Sequence, residues 1–301
     1  MKNILLLGYV VVMLLECSNC ASPQPEEDYG WLKSAIDTSV RQLEETVADI
    51  GDSVLLPRSI WTGYDIDFLC SQLQQNPMTF KDSLRVKPVT EVLGTRRYCT
   101  SIYDWTSGFF PGNLWLIYQI TGKENLKDAA IHFTNFLYPV RKYKGTHDIG
   151  FMMNCSYGNA YRLAPADSVR QALIQTADNL CGRFDSKIGC IRSWDFGRWN
   201  FPVIIDNMMN LDLLFYVYRL TGNPQYKEIA LQHARVTQQH QFREDYSSYH
   251  VVSYNDDRSV EEKCTHQGKN DDSAWARGQA WGVYGYTSCY RESKYALPAT
   301  S

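Results

Sequence analysis

No stretch of this chain is long enough in apolar residues to span a bilayer comfortably. The longest run, Ile4 to Leu15, falls short of the roughly 20 residues a transmembrane helix needs. Basic residues are not in excess either: 30 Lys and Arg face 33 Asp and Glu, so there is no surplus of positive charge to neutralise phosphates, which argues against nucleic acid as a partner. The six histidines show no metal spacing, Cys264-Thr-His266 being the nearest approach to one. No Ser-His-Asp order and no Gly-rich phosphate loop stands out, and Thr121-Gly-Lys is only a turn. What the chain has in quantity is aromatic side chains, 20 Tyr, 12 Phe and 8 Trp. They fit a large core, and they equally fit flat platforms for the apolar faces of sugars.

Lys2, the short apolar run and the small or polar residues after it (Ser18, Asn19, Ala21, Ser22) read as a secretory signal over residues 1–20. Cys17 and Cys20 are both candidates for the lipid-bearing first residue of a bacterial lipoprotein. This predicts a periplasmic or lipid-anchored location in a Gram-negative bacterium, with membrane contact only through the anchor. Residues Pro23 to Asp28 are a polar tether, and residues 21–301 are expected to form one catalytic domain. The remaining cysteines (70, 99, 155, 181, 190, 264 and 289) are odd in number and irregularly spaced, so mostly buried free thiols are expected rather than a disulfide framework.

Helical periodicity dominates after Tyr29. Leu32, Ile36, Val40, Leu43 and Val47 make one apolar face of a helix over Trp31 to Ile50, closed by Gly51. Between 52 and 104 only a short helix near Asp65 to Gln75 can be placed. A pattern then recurs: Tyr118 to Gly122 ends one helix and Lys123 to Leu137 forms the next, and Tyr218 to Gly222 with Asn223 to Gln239 repeats it. Gly122 and Gly222 suit left-handed helix caps. Tyr161-Arg-Leu is a third copy, followed by a helix over Asp167 to Arg183, and Tyr290-Arg-Glu-Ser begins a fourth. Hairpins spaced by roughly 45–70 residues, with long loops before each first helix, indicate a closed helical toroid rather than an open solenoid.

The chemistry-bearing residues sit in those loops, where function concentrates on a rigid scaffold. One loop carries Trp105 beside Gly108 and Gly112, another His147 and Asp148 between Gly145 and Gly150. A third runs from Trp199 to Asp206, and a fourth from Gln267 to Arg277 and Trp281. Asp206 is either a helix N-cap or a catalytic carboxylate; as an acid it would need apolar burial or a neighbouring carboxylate such as Asp148. Asp148 is either a cap or that neighbour. Trp105 is either core or a sugar platform. Arg277 and Trp281 are four apart on one helix and share a face, and an arginine there can grip a carboxylate through both its nitrogens. His250 lies in the strand-like segment Ser248 to Tyr254.

Four stretches in order, Trp105-Thr-Ser-Gly-Phe-Phe-Pro-Gly112, His147-Asp-Ile-Gly-Phe151, Ile205-Asp-Asn-Met-Met-Asn-Leu211 and Ser273-Ala-Trp-Ala-Arg-Gly-Gln-Ala-Trp281, resemble the unsaturated glucuronyl hydrolases, glycoside hydrolase family 88. The resemblance covers residues 100 to 292. It implies an all-α fold, an (α/α)6 toroid of the six-hairpin glycosidase type. It also implies removal of the 4,5-unsaturated uronic acid that polysaccharide lyases leave at a non-reducing end, with glycosaminoglycan fragments favoured. In that reaction water adds across the enol-ether double bond. Asp206 takes the position of the general acid and base, Asp148 that of the assisting aspartate. Trp105, His147, His250, Gln267, Arg277 and Trp281 take substrate-binding positions, and Trp194 or Trp199 adds a stacking ring. No metal or organic cofactor is implied; the partner is an unsaturated uronyl oligosaccharide. The family's toroid continues past the helix of Trp281, whereas here Pro298 follows closely, so a toroid incomplete at the C-terminus is expected. An unsaturated rhamnogalacturonyl hydrolase and a non-catalytic sugar-binding fragment are the alternatives.

Overall fold

The computed structural model describes residues 29–51, 56–62, 87–92 and 95–294. The expected signal, Cys17, Cys20, the tether, Cys70 and the helix near Asp65 to Gln75 lie outside the described residues. Among the described residues no helix is long and apolar enough to cross a membrane. Two compact units divide the chain, Met1–Gln42 and Leu43–Ser301. The described part of the first is the opening of helix α1 (Gly30–Ile50), which starts one residue before the Trp31 read from the sequence and ends where expected. The second holds every other described element.

In that second unit, strands β1 (Leu56–Thr62), β2 (Lys87–Val92) and β3 (Thr95–Thr100) pair antiparallel in the order β1-β3-β2. Helical hairpins follow. Helix α2 (Phe109–Thr121) turns at Gly122 into α3 (Glu124–Phe136). The next first helix is split: α4 (Ile149–Met153), a π turn (Asn154–Gly158) and α5 (Asn159–Leu163). Its partner is α6 (Asp167–Cys181). The third hairpin is α7 (Asn207–Thr221) and α8 (Pro224–His240), and α9 (Ala276–Lys294) opens the next. Gly122 and Gly222 close α2 and α7 at φ of 67° and 73°, the left-handed caps expected of them.

Two layers result. The first helices form an inner row in which α2 packs on α5 and the π turn, α4 on α7, and α7 on α9. The second helices stand outside, α3 against α2 and α5, α6 against α4, and α8 against α7 and α9. Composition follows position. Inner α7 buries Met208, Leu211, Leu213, Leu214, Phe215 and Val217, residues spread around its circumference, because it has neighbours on most sides. Outer α8 buries one stripe, Tyr226, Ile229, Ala230, His233, Ala234 and Thr237, and leaves the other face to water. In the first hairpin Phe110 meets Phe133 edge to face with centroids 4.9 Å apart, and the buried Trp115 Nε1 donates to Thr134 Oγ1 at 3.0 Å. Burying one such side chain contributes about 1.5–3 kcal/mol. This layering is that of an α/α toroid, the class expected from the sequence. The expected free thiols are found at Cys155, Cys181, Cys190, Cys264 and Cys289. Burial pushes the Cys155, Cys181, Cys190 and Cys289 thiols up to about 12, which keeps them protonated and unreactive.

The loops before the inner helices are not free coil. Strands β4 (Phe184–Asp185) and β5 (Cys190–Ile191) make a small hairpin. Strands β6 (Phe201–Ile204), β7 (Val251–Tyr254) and β8 (Val260–Cys264) form an antiparallel sheet in that order. It is this sheet that assembles the site.

Candidate active site

The sheet register sets which residues meet. Ile204 pairs with Val251, and the Ile205 N–H donates to the His250 carbonyl at 3.0 Å. Asp206, the next residue after Ile205, therefore emerges beside His250. On the other side of β6, Ser193 joins the ladder: its N–H donates to the Pro202 carbonyl and its Oγ accepts from the Ile204 N–H, both at 2.9 Å. The Ser193 carbonyl in turn accepts from the His147 N–H at 2.9 Å, and Thr146 bridges to Trp194. Backbone bonding thus carries two of the loops singled out by sequence, and the strand-like segment of His250, to one place, with His147 and Asp148, Asp206, and His250 meeting there.

Asp148 and Asp206 occupy the N-cap positions of α4 and α7, yet neither side chain makes a capping hydrogen bond. The cap reading therefore describes where they stand and not what their carboxylates do. Asp206 is mostly buried, and its Oδ2, shielded from solvent, has no hydrogen-bond partner, which for a buried acceptor calls for an explanation. His250 Nε2 stands 3.6 Å from it, beyond good hydrogen-bond range. A helix N-terminus alone would favour the ionised carboxylate. Burial outweighs it and raises the Asp206 carboxyl from its ordinary 3.8 to about 6. The charge of Asp148 pushes the same way, while His147 and Arg277 pull it down.

His250 is held in one tautomer. Its Nδ1 accepts the backbone N–H groups of His266 at 2.9 Å and Gln267 at 3.1 Å. A nitrogen that accepts carries no proton, so the ring proton sits on Nε2, the atom facing Asp206. Burial first, then the neighbouring His266, Arg277 and His147, push the His250 ring down to about 3 and keep it neutral. Asp206 therefore faces a neutral N–H and not a fixed cation, which leaves its proton affinity high.

Asp148 is held by its own loop. Thr146 Oγ1 donates to Asp148 Oδ2 at 3.0 Å and accepts from the Asp148 N–H at 3.2 Å. Asp148 Oδ1 lies 3.1 Å from Nε2 of the buried His147, although the angle there is poor for a hydrogen bond.

Aromatic rings and one arginine complete the wall. The Trp275 ring lies 4.8 Å from the His250 ring. The exposed Arg277 guanidinium sits 4.4 Å from the Trp275 ring and 5.4 Å from the Trp105 ring. Trp105 is half-buried and braced edge-on by Phe109 and Phe151. Between the two rings left open by the sequence, Trp194 is nearer the site, 6.3 Å from His250, with Phe196 stacked on it at 4.8 Å. Trp199 reaches this group through Trp194 and His266. Gln267 has an exposed side chain, and its fixed contribution is its backbone N–H. Trp281 stands one turn beyond Arg277 on α9, partly exposed, and outside this ring cluster. Trp275 and Asn210 belong to the site and are not singled out by the sequence reading, though both lie within stretches that carry the resemblance. Among the described residues no group of three or more His, Cys, Asp and Glu side chains is placed to hold a metal ion.

Comparison with known proteins places the chain in a family. Residues 1–75 match a domain of unknown function. An unsaturated glucuronyl hydrolase of Formosa agariphila is 47% identical over 192 residues, 62% of this chain and 48% of that protein. An unsaturated chondroitin disaccharide hydrolase of Streptococcus pneumoniae is 34% identical over 238 residues, 77% of this chain and 59% of that protein. The crystal structure of an unsaturated glucuronyl hydrolase specific for heparin superposes with a TM-score of 0.72 at 40% identity, covering 88% of this chain and 63% of that one. The unsaturated glucuronyl hydrolase of Bacillus sp. GL1 gives 0.70 at 27% identity with the same coverage. The chain thus spans about half the length of the curated relatives it matches. Residues 88–301 match Glycosyl Hydrolase Family 88, and the chain belongs to that family.

Proposed function

We propose that this chain removes the 4,5-unsaturated uronic acid from the non-reducing end of lyase-generated oligosaccharides, glycosaminoglycan fragments above all. The observation that carries the reading is Asp206, a buried carboxyl raised to about 6, with an unsatisfied oxygen, beside a second aspartate. A carboxyl held near the working pH can both give and take a proton. In the proposed reaction protonated Asp206 gives its proton to C4 of the enol ether, breaking the double bond. The carboxylate left behind takes a proton from the water that bonds to C5. The hemiketal so formed opens and releases the remainder of the sugar chain. Asp148, held by Thr146, raises the proton affinity of Asp206 through its charge. Arg277 supplies a cation for the uronate carboxylate, and the flat faces of Trp105 and Trp275 suit a sugar ring. The preference for glycosaminoglycans is supported by the relatives, which act on unsaturated chondroitin disaccharides or are specific for heparin.

The test is incubation with lyase-generated chondroitin, heparin and pectin disaccharides, following loss of the double bond's ultraviolet absorbance. Turnover of the first two is expected, with kcat/KM falling as pH rises through about 6 because the acid form is lost. Turnover of the pectin product alone would instead identify a rhamnogalacturonyl hydrolase, and binding without turnover a sugar-binding protein.

The periplasmic or lipid-anchored location is part of the same proposal, supported by the apolar run from Ile4 to Leu15 and by Cys17 and Cys20. Expressed in a Gram-negative host, the chain is expected to fractionate outside the cytosol, and one of Cys17→Ser and Cys20→Ser to release it from the membrane. Full retention in the cytosol counts against it.

A further inference from the structure

We infer that Asn210 is a positioning residue, which selects the Nε2–H tautomer of His147 and so places that N–H beside Asp148. The inference rests on the reading of Asp148 and Asp206 as the reacting pair.

The argument starts from orientation. Asn210 lies on the first turns of α7, one helical turn after Asp206, and is fully buried. Its Oδ1 accepts the Phe151 N–H at 2.9 Å. Only the carbonyl end of the amide can accept, so the other end, facing His147, is the NH2 group. That Nδ2 lies 3.4 Å from His147 Nδ1, a long hydrogen bond. A donor there requires a lone pair on Nδ1, which places the ring proton on Nε2. His147 Nε2 is the atom 3.1 Å from Asp148 Oδ1. His147 is itself 1% exposed, so no bulk water competes for Nδ1.

The same side chain does a second job. Phe151 lies in α4, which begins right after Asp148, while Asn210 lies in α7, which begins right after Asp206. One amide therefore ties the two helices that carry the aspartates and orients the histidine between them. His250 shows the contrast: its tautomer is set by backbone N–H groups, which side-chain substitutions other than proline leave in place. At His147 the task falls to a side chain, so it can be tested.

The test uses the full chain. Nitrogen-15 NMR of histidine-labelled protein, with His147 assigned by its loss in His147→Gln, is expected to show an unprotonated Nδ1 and a protonated Nε2. Asn210→Asp keeps an acceptor for the Phe151 N–H but cannot donate to Nδ1. It should move the proton onto Nδ1 and lower kcat by about tenfold or more, since a wrong histidine tautomer is costly in comparable sites. KM should stay within about threefold, as transition-state interactions and not uniform binding are lost. A wild-type His147 protonated on Nδ1 overturns the proposal, as does Asn210→Asp with wild-type kcat. If the buried carboxylate prevents folding, the wild-type spectrum still decides. If the wild type turns over no unsaturated disaccharide, the functional reading fails and the His147 spectrum still decides this one.

Discussion

Asp206→Asn is expected to lower turnover of an unsaturated disaccharide by about 10³–10⁴-fold while leaving disaccharide binding nearly unchanged, because one group serves as both acid and base. The substitution is close to isosteric, and Asp206 makes no capping hydrogen bond whose loss would disturb α7. What disappears is the exchangeable carboxyl proton. Neutral His250 cannot replace it: its Nε2–H already faces Asp206, and burial holds the ring down to about 3, so it does not take up a second proton to relay. Retained turnover in this variant, measured by ultraviolet absorbance alongside calorimetric binding, would remove Asp206 from the reaction.

The same variant is expected to be more stable than the wild type near neutral pH. Asp206 binds its proton more tightly folded than unfolded, its carboxyl being raised from 3.8 to about 6. A raised folded-state value gives a contribution that is fully present below the ordinary value and is lost as pH rises through the raised one. At neutral pH the buried ionised carboxylate therefore costs roughly 3 kcal/mol relative to its state in acid. Asparagine carries no such penalty. Thermal unfolding should show a gain in Tm at neutral pH that vanishes in acid below the ordinary carboxylate value; a gain independent of pH would contradict burial as the cause. Gain of stability with loss of activity in one substitution is the signature of a carboxyl kept buried for its chemistry.

How far the sequence reaches is visible in these same residues. The hairpin pattern was legible because its signals are local: apolar periodicity, and glycines at 122 and 222 where a left-handed cap is needed. The choice between cap and catalyst at Asp206 was not, because the residue occupies the cap position without using it. Only the ladder from His147 through Ser193 to β6 and β7, made of main-chain bonds between distant segments, shows which segments bearing carboxylates lie near each other. The split of the second inner helix at the π turn has no periodicity that marks it. Trp194 and Trp199 could not be told apart for the same reason as Asp206, since five residues of loop decide which ring approaches His250. The tautomer of His250 depends on N–H groups 16 and 17 residues further along the chain. Asn210 did carry a signal in hindsight, a polar side chain on the buried part of a helix rich in Leu and Met, where an unpaired amide would be costly.

Gly150→Ala is expected to destabilise the protein by about 1–3 kcal/mol and to lower turnover by about 10²-fold or more, a pair of effects that sets it apart from the cap glycines. A Cβ at Gly150 would lie 2.5 Å from Asn210 Oδ1, 2.6 Å from Asn210 Cβ and 2.9 Å from Asn210 Cα. Two of these atoms belong to the backbone or its first branch and cannot swing aside. Relief requires α4 to move away from α7. That motion stretches the Phe151 N–H bond to Asn210 and shifts Asp148 relative to Asp206, since each aspartate opens one of the two helices. Displacement by as little as about 1 Å is enough to cost two orders of magnitude in rate. Gly122→Ala is the control. Its penalty comes from φ of 67° alone, with nothing within 4 Å of the added methyl, so about 1 kcal/mol and no change in turnover are expected there. Thermal unfolding and single-turnover kinetics on both variants separate the two causes. If Gly150→Ala behaves like Gly122→Ala, the close crossing of α4 and α7 does not set the spacing of the aspartates. If only Gly150→Ala loses turnover, the absence of one methyl group is what lets two helix N-termini bring their carboxylates together.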